Sequence, residues 1–178
     1  MAKFSMVRTE SAPKGTKRIF EDITKVKHVR STPNFFKTLA NSPSVLQGTW
    51  SAYKSITTRG AISEVVKEMI FVAISVAKKC AYCEAAHLDP ETCTNLVSNL
   101  NALRPERTRD IVKFAVKVAV DPGSLKDADY EVLKGHGIDD TGIIEAVAMS
   151  GFAMYAITVA EALKLEVDSW GAMTSANG

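Results

Sequence analysis

The stretch "EVVKEMIFVAISVAKKCAYCEAAH", residues 64–87, predicts two helices joined by a turn. Ser63, directly before it, can cap the first helix, and Glu64 places a negative charge in the first turn, where the helix dipole favours it. One straight helix would put Glu68 about 18 Å from Cys80. We infer instead a turn near residues 77–80, although neither glycine nor proline marks it. Because the chain reverses there, the two helices are expected to run antiparallel.

The second of these helices contains two cysteines and a histidine. Residues three, four and seven positions apart share one face of a helix, so Cys80, Cys83 and His87 should line up. The two thiols are close enough for a disulfide, and His87 can act on Cys83 as a base, directly or through one water. Counted back from the turn, Glu68 should come level with His87, where its carboxylate could orient the imidazole or take its proton. Glu64 is the alternative partner, and a solvated surface acid is the alternative reading of Glu68.

From the residues alone, three interpretations of the two cysteines and the histidine stay open. They could be packed side chains without chemistry. They could bind zinc, but a structural zinc site requires four ligands, and the fourth would have to be Cys93, His28, His136 or a carboxylate. They could form a redox dithiol, because a Cys-x-x-Cys at the start of a helix puts its first thiol near the positive end of the dipole. That position lowers the pKa of the thiol from about 8.5.

The composition is that of an ordinary globular domain and argues against several function classes. Of 178 residues, 46% are hydrophobic and 24% charged, and the net charge of +2 is too small to indicate nucleic acid or a membrane surface. Three cysteines make an odd count, and the N-terminus lacks the apolar stretch of a signal peptide, so a reducing, cytoplasmic location is expected. The longest apolar stretch, residues 143–160, is short for a membrane span and predicts a buried helix.

Nearly every other segment also predicts helix. We expect one all-α domain of about seven or eight helices in residues 18–168, between a flexible N-terminal tail, residues 1–17, and a C-terminal tail, residues 169–178. The signals that start or end these helices are Pro33, the "NSP" of residues 41–43, Asp89 with Pro90, Pro105, the "DPG" of residues 121–123, Gly135, and Asp139 or Asp140.

Taken together, these residues resemble the alkylhydroperoxidase D family in the carboxymuconolactone decarboxylase-like superfamily. The shared pattern is Glu-x11-Cys-x-x-Cys-x-x-x-His, formed here by Glu68, Cys80, Cys83 and His87. The likeness covers roughly residues 33–168 and includes two flanking segments, "FFKTLANSPSVLQG" and "GIDDTGIIEAVAMSGFAMYAITVAEALKLEVD". The decarboxylase branch of the superfamily lacks the cysteine pair, so decarboxylation is not expected.

The resemblance implies an all-α fold that assembles into homotrimers or homohexamers, and a thiol-dependent peroxidase. In that family the second cysteine attacks the peroxide and the first resolves the sulfenic acid. Cys83 would then be peroxidatic and Cys80 resolving, with His87 as the base and Glu68 in the proton relay. Tyr82 stands where the best-studied pattern has a histidine. We expect Tyr82 to bind substrate, because a phenol with a pKa near 10 does not shuttle protons at pH 7 as imidazole does.

The sequence therefore predicts an antioxidant oxidoreductase that reduces a hydroperoxide to an alcohol through a dithiol and disulfide cycle. A reducing dithiol partner protein would restore the enzyme by exchange, and Cys93 is expected to stay outside the disulfide. No metal or organic cofactor is expected, and neither nucleic acid nor a membrane is expected as a partner. Two alternatives belong to other classes: a disulfide reductase acting on a protein partner, and a non-catalytic metal-binding or scaffold subunit.

Overall fold

The computed structural model of this chain describes residues 4–87 and 105–169. Within these residues the chain forms α-helices and one 3-10 turn at Pro122–Ser124 but no strand, which confirms the all-α prediction. The predicted helix start at Asp89 and Pro90 lies outside the described residues, as do Cys93 and the chain beyond residue 169. The helices are α1 (Lys14–Lys27), α2 (Asn34–Leu39), α3 (Pro43–Thr57), α4 (Glu64–Ala77), α5 (Ala81–His87), α6 (Glu106–Val120), α7 (Asp127–Gly135) and α8 (Asp140–Ala162).

Helix α1 begins at Lys14, so residues 14–17, which the sequence analysis assigned to the tail, form its first turn. The many lysines and arginines around this start make the buried face of the helix hard to recognise in the sequence. That face is formed by Thr16, Phe20 and Ile23, which lie at i, i+4 and i+7. The boundary of the helical domain therefore lies earlier than predicted.

The centre of the molecule is a layer of three long helices, in which α8 packs against α4 and α6, and α4 also packs against α6. Helix α8 is long and apolar enough to cross a membrane by length and composition, and half of that stretch is buried inside the molecule. Small side chains let it approach its neighbours, since the Ser150 hydroxyl lies 3.0 Å from the Ala115 carbonyl of α6. Half of the predicted apolar stretch is thus buried, and exposed side chains such as Ile144 lie on its other face.

The turn between α4 and α5 places the cysteines. Ser63 caps α4 as predicted, because its hydroxyl accepts the Val66 N–H at 3.4 Å. The helix ends at Ala77, and the chain turns through Lys79, whose φ of 56° lies in the left-handed region. The Cys80 N–H then donates to the Ser75 carbonyl at 3.0 Å, which closes the end of α4. Helix α5 starts directly afterwards and packs back on α4, as expected.

A buried ion pair holds the loop before α4 against α8. The Lys67 ammonium lies 3.1 Å from Glu145 and also donates to the Arg59 carbonyl. The Glu145 carboxylate accepts two backbone N–H groups of the same loop, at 2.8 Å and 3.0 Å. Gly60 lies under this carboxylate with a φ of 115°, and a Cβ there would come within 2.0 Å of a Glu145 oxygen. The pair fixes the start of α4 and with it the position of Glu68.

Candidate active site

Glu68 and His87 meet across the antiparallel pair α4 and α5. The Nδ1 atom of His87 lies 2.8 Å from Oε2 of Glu68, which confirms that the two residues come level. The imidazole stacks on Phe71 of α4, with ring centroids 3.8 Å apart and an angle of 22° between the planes. Glu64, the alternative partner, is exposed at the start of α4. The imidazole is thus fixed on one side by a carboxylate and on one face by an aromatic ring.

Both partners have lowered pKa values. Burial lowers the pKa of His87, and the nearby Glu68 carboxylate only partly offsets this effect. Burial raises the pKa of Glu68, but the charge and hydrogen bond of His87 outweigh it, so its pKa lies below the ordinary value. At neutral pH the pair is therefore an ionised carboxylate and a neutral imidazole. Because a carboxylate only accepts, Nδ1 holds the proton and Nε2 is the basic nitrogen.

The two cysteines lie at the start of α5, Cys80 directly before it and Cys83 in its first turn, and both are free thiols. A hydrogen bond from Cys83 is the main cause that lowers the pKa of Cys80. The same bond raises the pKa of Cys83, and burial raises it further. The first thiol is therefore the more acidic one, as expected, but the second thiol contributes most to this. A single negative charge on the resting dithiol would lie on Cys80.

The two thiols differ in their access to a cavity beside α5. A cavity of about 40 Å³ lies beside α5, and Cys83 and His87 line it together with aromatic side chains that include Phe36 and Phe152. Cys80 does not line it and has no exposed surface. The volume is enough for a few water molecules or a small polar group. A small molecule that enters this cavity reaches Cys83 rather than Cys80.

A wider, open groove lies next to this cavity. It has a volume of about 570 Å³, and Glu68 and Met69 are among the residues that line it. Lys27, Tyr53, Ala86 and His87 line both spaces, so they form the wall between them. The buried imidazole therefore borders the open groove as well as the cavity.

Tyr82 lines the cavity, and its hydroxyl is bonded to two groups of other segments. The hydroxyl donates to Asp168 at 2.9 Å and accepts the Phe35 N–H at 2.9 Å. Asp168 also accepts the Asn34 N–H at 2.8 Å. Burial and the Asp168 charge raise the pKa of Tyr82, so the phenol keeps its proton at neutral pH. Its position fits the predicted contact with substrate, which stays a prediction, as do the roles assigned to the cysteines, His87 and Glu68.

The sequence analysis did not identify three polar residues near the site: Lys27, Tyr53 and Asp168. The Lys27 Nζ donates to the Tyr53 hydroxyl at 2.8 Å, and both side chains line the cavity. These residues lie in three segments far from the cysteine motif, and none belongs to a recognisable pattern. Only the tertiary packing of α1, α3 and the end of the described chain brings them together.

The histidines outside the motif do not join the cysteines. His28 is exposed at the end of α1, and Nε2 of His136 lies 2.9 Å from Asp110. Across residues 4–87 and 105–169, no group of three or more His, Cys, Asp or Glu side chains is arranged to hold a metal ion.

Comparisons with known proteins identify relatives of this fold. Residues 43–89, which span α3 to α5, match the model of the carboxymuconolactone decarboxylase family. A peroxidase-related protein from Silicibacter sp. TM1040 is 26% identical with a TM-score of 0.82, over 94% of this chain and 91% of its own. An alkylhydroperoxidase AhpD core protein from Ralstonia eutropha JMP134 is 21% identical with a TM-score of 0.82, over 95% of this chain and 93% of its own.

A third solved structure shares the fold alone. The debrominase Bmp8 is 16% identical with a TM-score of 0.79, over 98% of this chain and 96% of its own. A variant of that protein was solved in complex with 2,3,4-tribromopyrrole. A search of curated proteins finds no match for the chain. One fold therefore occurs in proteins with different described activities, and the residues of the site must decide between them.

Proposed function

We propose that this chain, a member of the alkylhydroperoxidase D-like family in the carboxymuconolactone decarboxylase-like superfamily, reduces hydroperoxides through a dithiol cycle of Cys83 and Cys80. One observation supports this most: Cys83 shares a cavity with a buried, neutral imidazole that a carboxylate holds. A nucleophile next to an oriented base is the arrangement that thiol chemistry requires. The coarser statement, an enzyme with the fold of peroxidase-related proteins, rests on the comparisons.

The first step uses Cys83. Nε2 of His87 takes the Cys83 proton, and the thiolate attacks the terminal oxygen of the hydroperoxide. A sulfur–oxygen bond forms, the oxygen–oxygen bond breaks, and the electron pair leaves with the alkoxide, which becomes the alcohol on protonation. Access supports this role, since Cys83 lines the cavity and Cys80 does not.

The second step uses Cys80. The hydrogen bond from Cys83 lowers the pKa of Cys80, which raises its thiolate fraction, and this thiolate attacks the sulfenic sulfur of Cys83. A disulfide forms, and hydroxide leaves as water after it takes a proton. The larger thiolate fraction of Cys80 suits this resolving role. Cys83 must lose its proton before it reacts, and His87 accepts that proton. A reducing dithiol partner protein then restores both thiols by exchange.

The chain is also proposed to assemble with copies of itself, as a homotrimer or homohexamer. Helix α8 exposes three apolar side chains along one face: Ile144, which is 67% exposed, Val147 and Tyr155. A row of this kind is typical of a surface that another subunit covers. The cytoplasmic location is likewise a proposal, based on the paired thiols.

A steady-state assay tests the proposed function. Fully reduced protein is given hydrogen peroxide, tert-butyl hydroperoxide or cumene hydroperoxide with dithiothreitol, beside a variant in which both cysteines are serine. We expect hydroperoxide consumption by the wild type alone, and peptide mapping should show a disulfide between Cys80 and Cys83. No consumption and no disulfide would overturn the proposal.

The same preparation separates the alternatives. Reduction of a disulfide-bonded protein substrate without peroxide consumption would favour the disulfide reductase. Bound metal in protein purified under reduction, without turnover, would favour the metal-binding subunit. Loss of bromide from a brominated pyrrole would point to the activity of the structural relative.

A further inference from the structure

The hydroxyl of Tyr53 has a hydrogen that no acceptor takes in the described part of the chain. Lys27 Nζ lies 2.8 Å from this hydroxyl and 4.6 Å from the centroid of the ring. An ammonium group only donates, so the Tyr53 oxygen must be the acceptor in this contact. Its own hydrogen therefore points elsewhere. Buried polar hydrogens are nearly always bonded to protein or to ordered water, so this one is free to bond to a water or to a ligand that replaces the water.

That partner would lie in the cavity. Tyr53 is 7% exposed and lines the same cavity as Cys83 and His87. The other phenol of the cavity, Tyr82, already donates to Asp168. The Tyr53 hydroxyl is therefore the phenol donor that remains for an oxygen atom beside the Cys83 sulfur.

We propose that Tyr53 is a further catalytic residue, which donates its proton to the leaving oxygen of the hydroperoxide while Cys83 attacks the other oxygen. The inference rests on the proposed function. The sulfur–oxygen bond forms and the oxygen–oxygen bond breaks, and its electron pair stays on the leaving oxygen, which takes the Tyr53 proton and departs as the alcohol. Lys27 returns a proton to the phenolate and is itself reprotonated from the open groove that it lines.

The structure also supports Lys27 as the polarising group of this pair. A positive charge on the oxygen side of a phenol draws electron density from its O–H bond and stabilises the phenolate left after transfer. Trp50 holds the ring of Tyr53 in place by stacking, with centroids 5.2 Å apart and planes 13° apart. The donor is thus preorganised, and it costs little reorganisation when the oxygen–oxygen bond breaks.

The test is a single-turnover measurement of Cys83 oxidation in reduced Tyr53→Phe protein, with two kinds of oxidant. Tert-butyl hydroperoxide releases a strongly basic alkoxide that needs a proton, whereas peracetic acid releases acetate, which does not. We expect Tyr53→Phe to lower the rate constant about 10²-fold for the hydroperoxide, within the usual contribution of one acid or oxyanion donor. For peracetic acid the rate should stay within about 3-fold of wild type, because proton donation adds little there.

Two controls exclude a structural cause. Alkylation of Cys83 by iodoacetamide, which releases iodide, should keep its rate in Tyr53→Phe. Tyr155→Phe removes a hydroxyl that bonds to Thr49 at 2.7 Å, and Tyr155 does not line the cavity. This change should leave the rate of Cys83 oxidation unchanged with both oxidants. Lys27→Met should show the same selective loss as Tyr53→Phe, and Lys27→Arg should restore most of it.

Equal losses for both oxidants, or no loss for tert-butyl hydroperoxide, would overturn the role of Tyr53 while the peroxidase proposal stands. If the wild type oxidises Cys83 with neither oxidant, the proposed function fails and the role of Tyr53 fails with it.

Discussion

Glu68 and His87 form a hydrogen-bonded pair at 2.8 Å although 19 residues separate them in the sequence. The pair forms because α4 and α5 run antiparallel from the turn at Lys79. It fixes the tautomer of a buried imidazole and so decides which nitrogen can accept a proton from Cys83. The pH dependence of the enzyme should follow from it.

The first prediction concerns Glu68→Gln. Burial lowers the pKa of His87 below 6.5, so its basic form is present at neutral pH and the rate of Cys83 oxidation falls only on acidification. Glu68 is the charge that raises the pKa of His87, so its removal should move this acidic fall to lower pH. The plateau should drop about 10-fold, because a neutral amide holds Nδ1–H less firmly than a carboxylate. Rate constants measured against pH check this, with Glu64→Gln as the control, and a shift to higher pH would contradict it.

The second prediction separates the two thiols. Cys83→Ser should abolish hydroperoxide turnover, because the thiol that faces the cavity is lost. Cys80→Ser should react once and stop at a sulfenic acid that a dimedone-type probe traps, because no resolving thiol remains. Mass spectrometry of the trapped adduct is the measurement. A sulfenic acid in Cys83→Ser and none in Cys80→Ser would mean that the two roles are reversed.

The third prediction concerns Tyr82→Phe. This change removes the hydrogen bond to the buried Asp168 carboxylate and leaves the Phe35 N–H without its acceptor. The free energy of unfolding should fall by about 1.5–3 kcal/mol, the usual contribution of a hydrogen bond to a charged group. Urea unfolding measures it. Tyr130→Phe is the matched control. The Tyr130 ring packs edge-on against Phe114 at 5.6 Å, and phenylalanine keeps this contact, so the substitution should change stability little.

The fourth prediction concerns the ion pair between Lys67 and Glu145. Glu145→Gln removes the negative charge next to an ammonium whose side chain is 1% exposed, and it should lower the free energy of unfolding by about 3–5 kcal/mol. The pair of Lys117 and Asp129, at 2.6 Å and with side chains 36% and 26% exposed, is the control, and Lys117→Met should lower stability far less. Equal effects in urea unfolding would show that burial does not set the strength of these pairs.

The fifth prediction concerns assembly. Ile144→Asp places a charge in the exposed apolar face of α8 and should lower the oligomeric state without loss of helix, because the side chain has no core contacts to lose. Val120→Asp, at an equally exposed position at the end of α6, should leave assembly unchanged. Light scattering at micromolar concentration reports both. A monomeric wild type would refute the proposed assembly.

Much of the fold could be predicted because local signals agree with the tertiary structure. The Ser63 cap and the Pro105 start each act within a few residues, and each lies where the sequence predicts it. The turn at Lys79 could be inferred only from the need to bring Glu68 and His87 together. A lysine in the left-handed region has no sequence signature, since glycine or asparagine is the usual residue there.

The candidate site was predictable only where its residues form a motif. Glu68, the two cysteines and His87 follow the spacing of a known motif on two adjacent helices. Residues at such spacings lie close together because of helix geometry. Lys27, Tyr53 and Asp168 approach the cavity through packing between distant segments. Such contacts depend on the positions of whole helices, and no local period encodes them.

The hydrogen bond between Tyr82 and Asp168 should also make these two positions covary among relatives of this protein. An apolar side chain at position 82 would leave the buried Asp168 carboxylate without one of its hydrogen-bond donors. Loss of the carboxylate at position 168 would leave the Tyr82 hydroxyl without its acceptor. Neither change is neutral alone, so the two positions should be replaced together when relatives diverge. In an alignment of relatives, frequent sequences that keep one residue and lose the other would show that the positions vary independently.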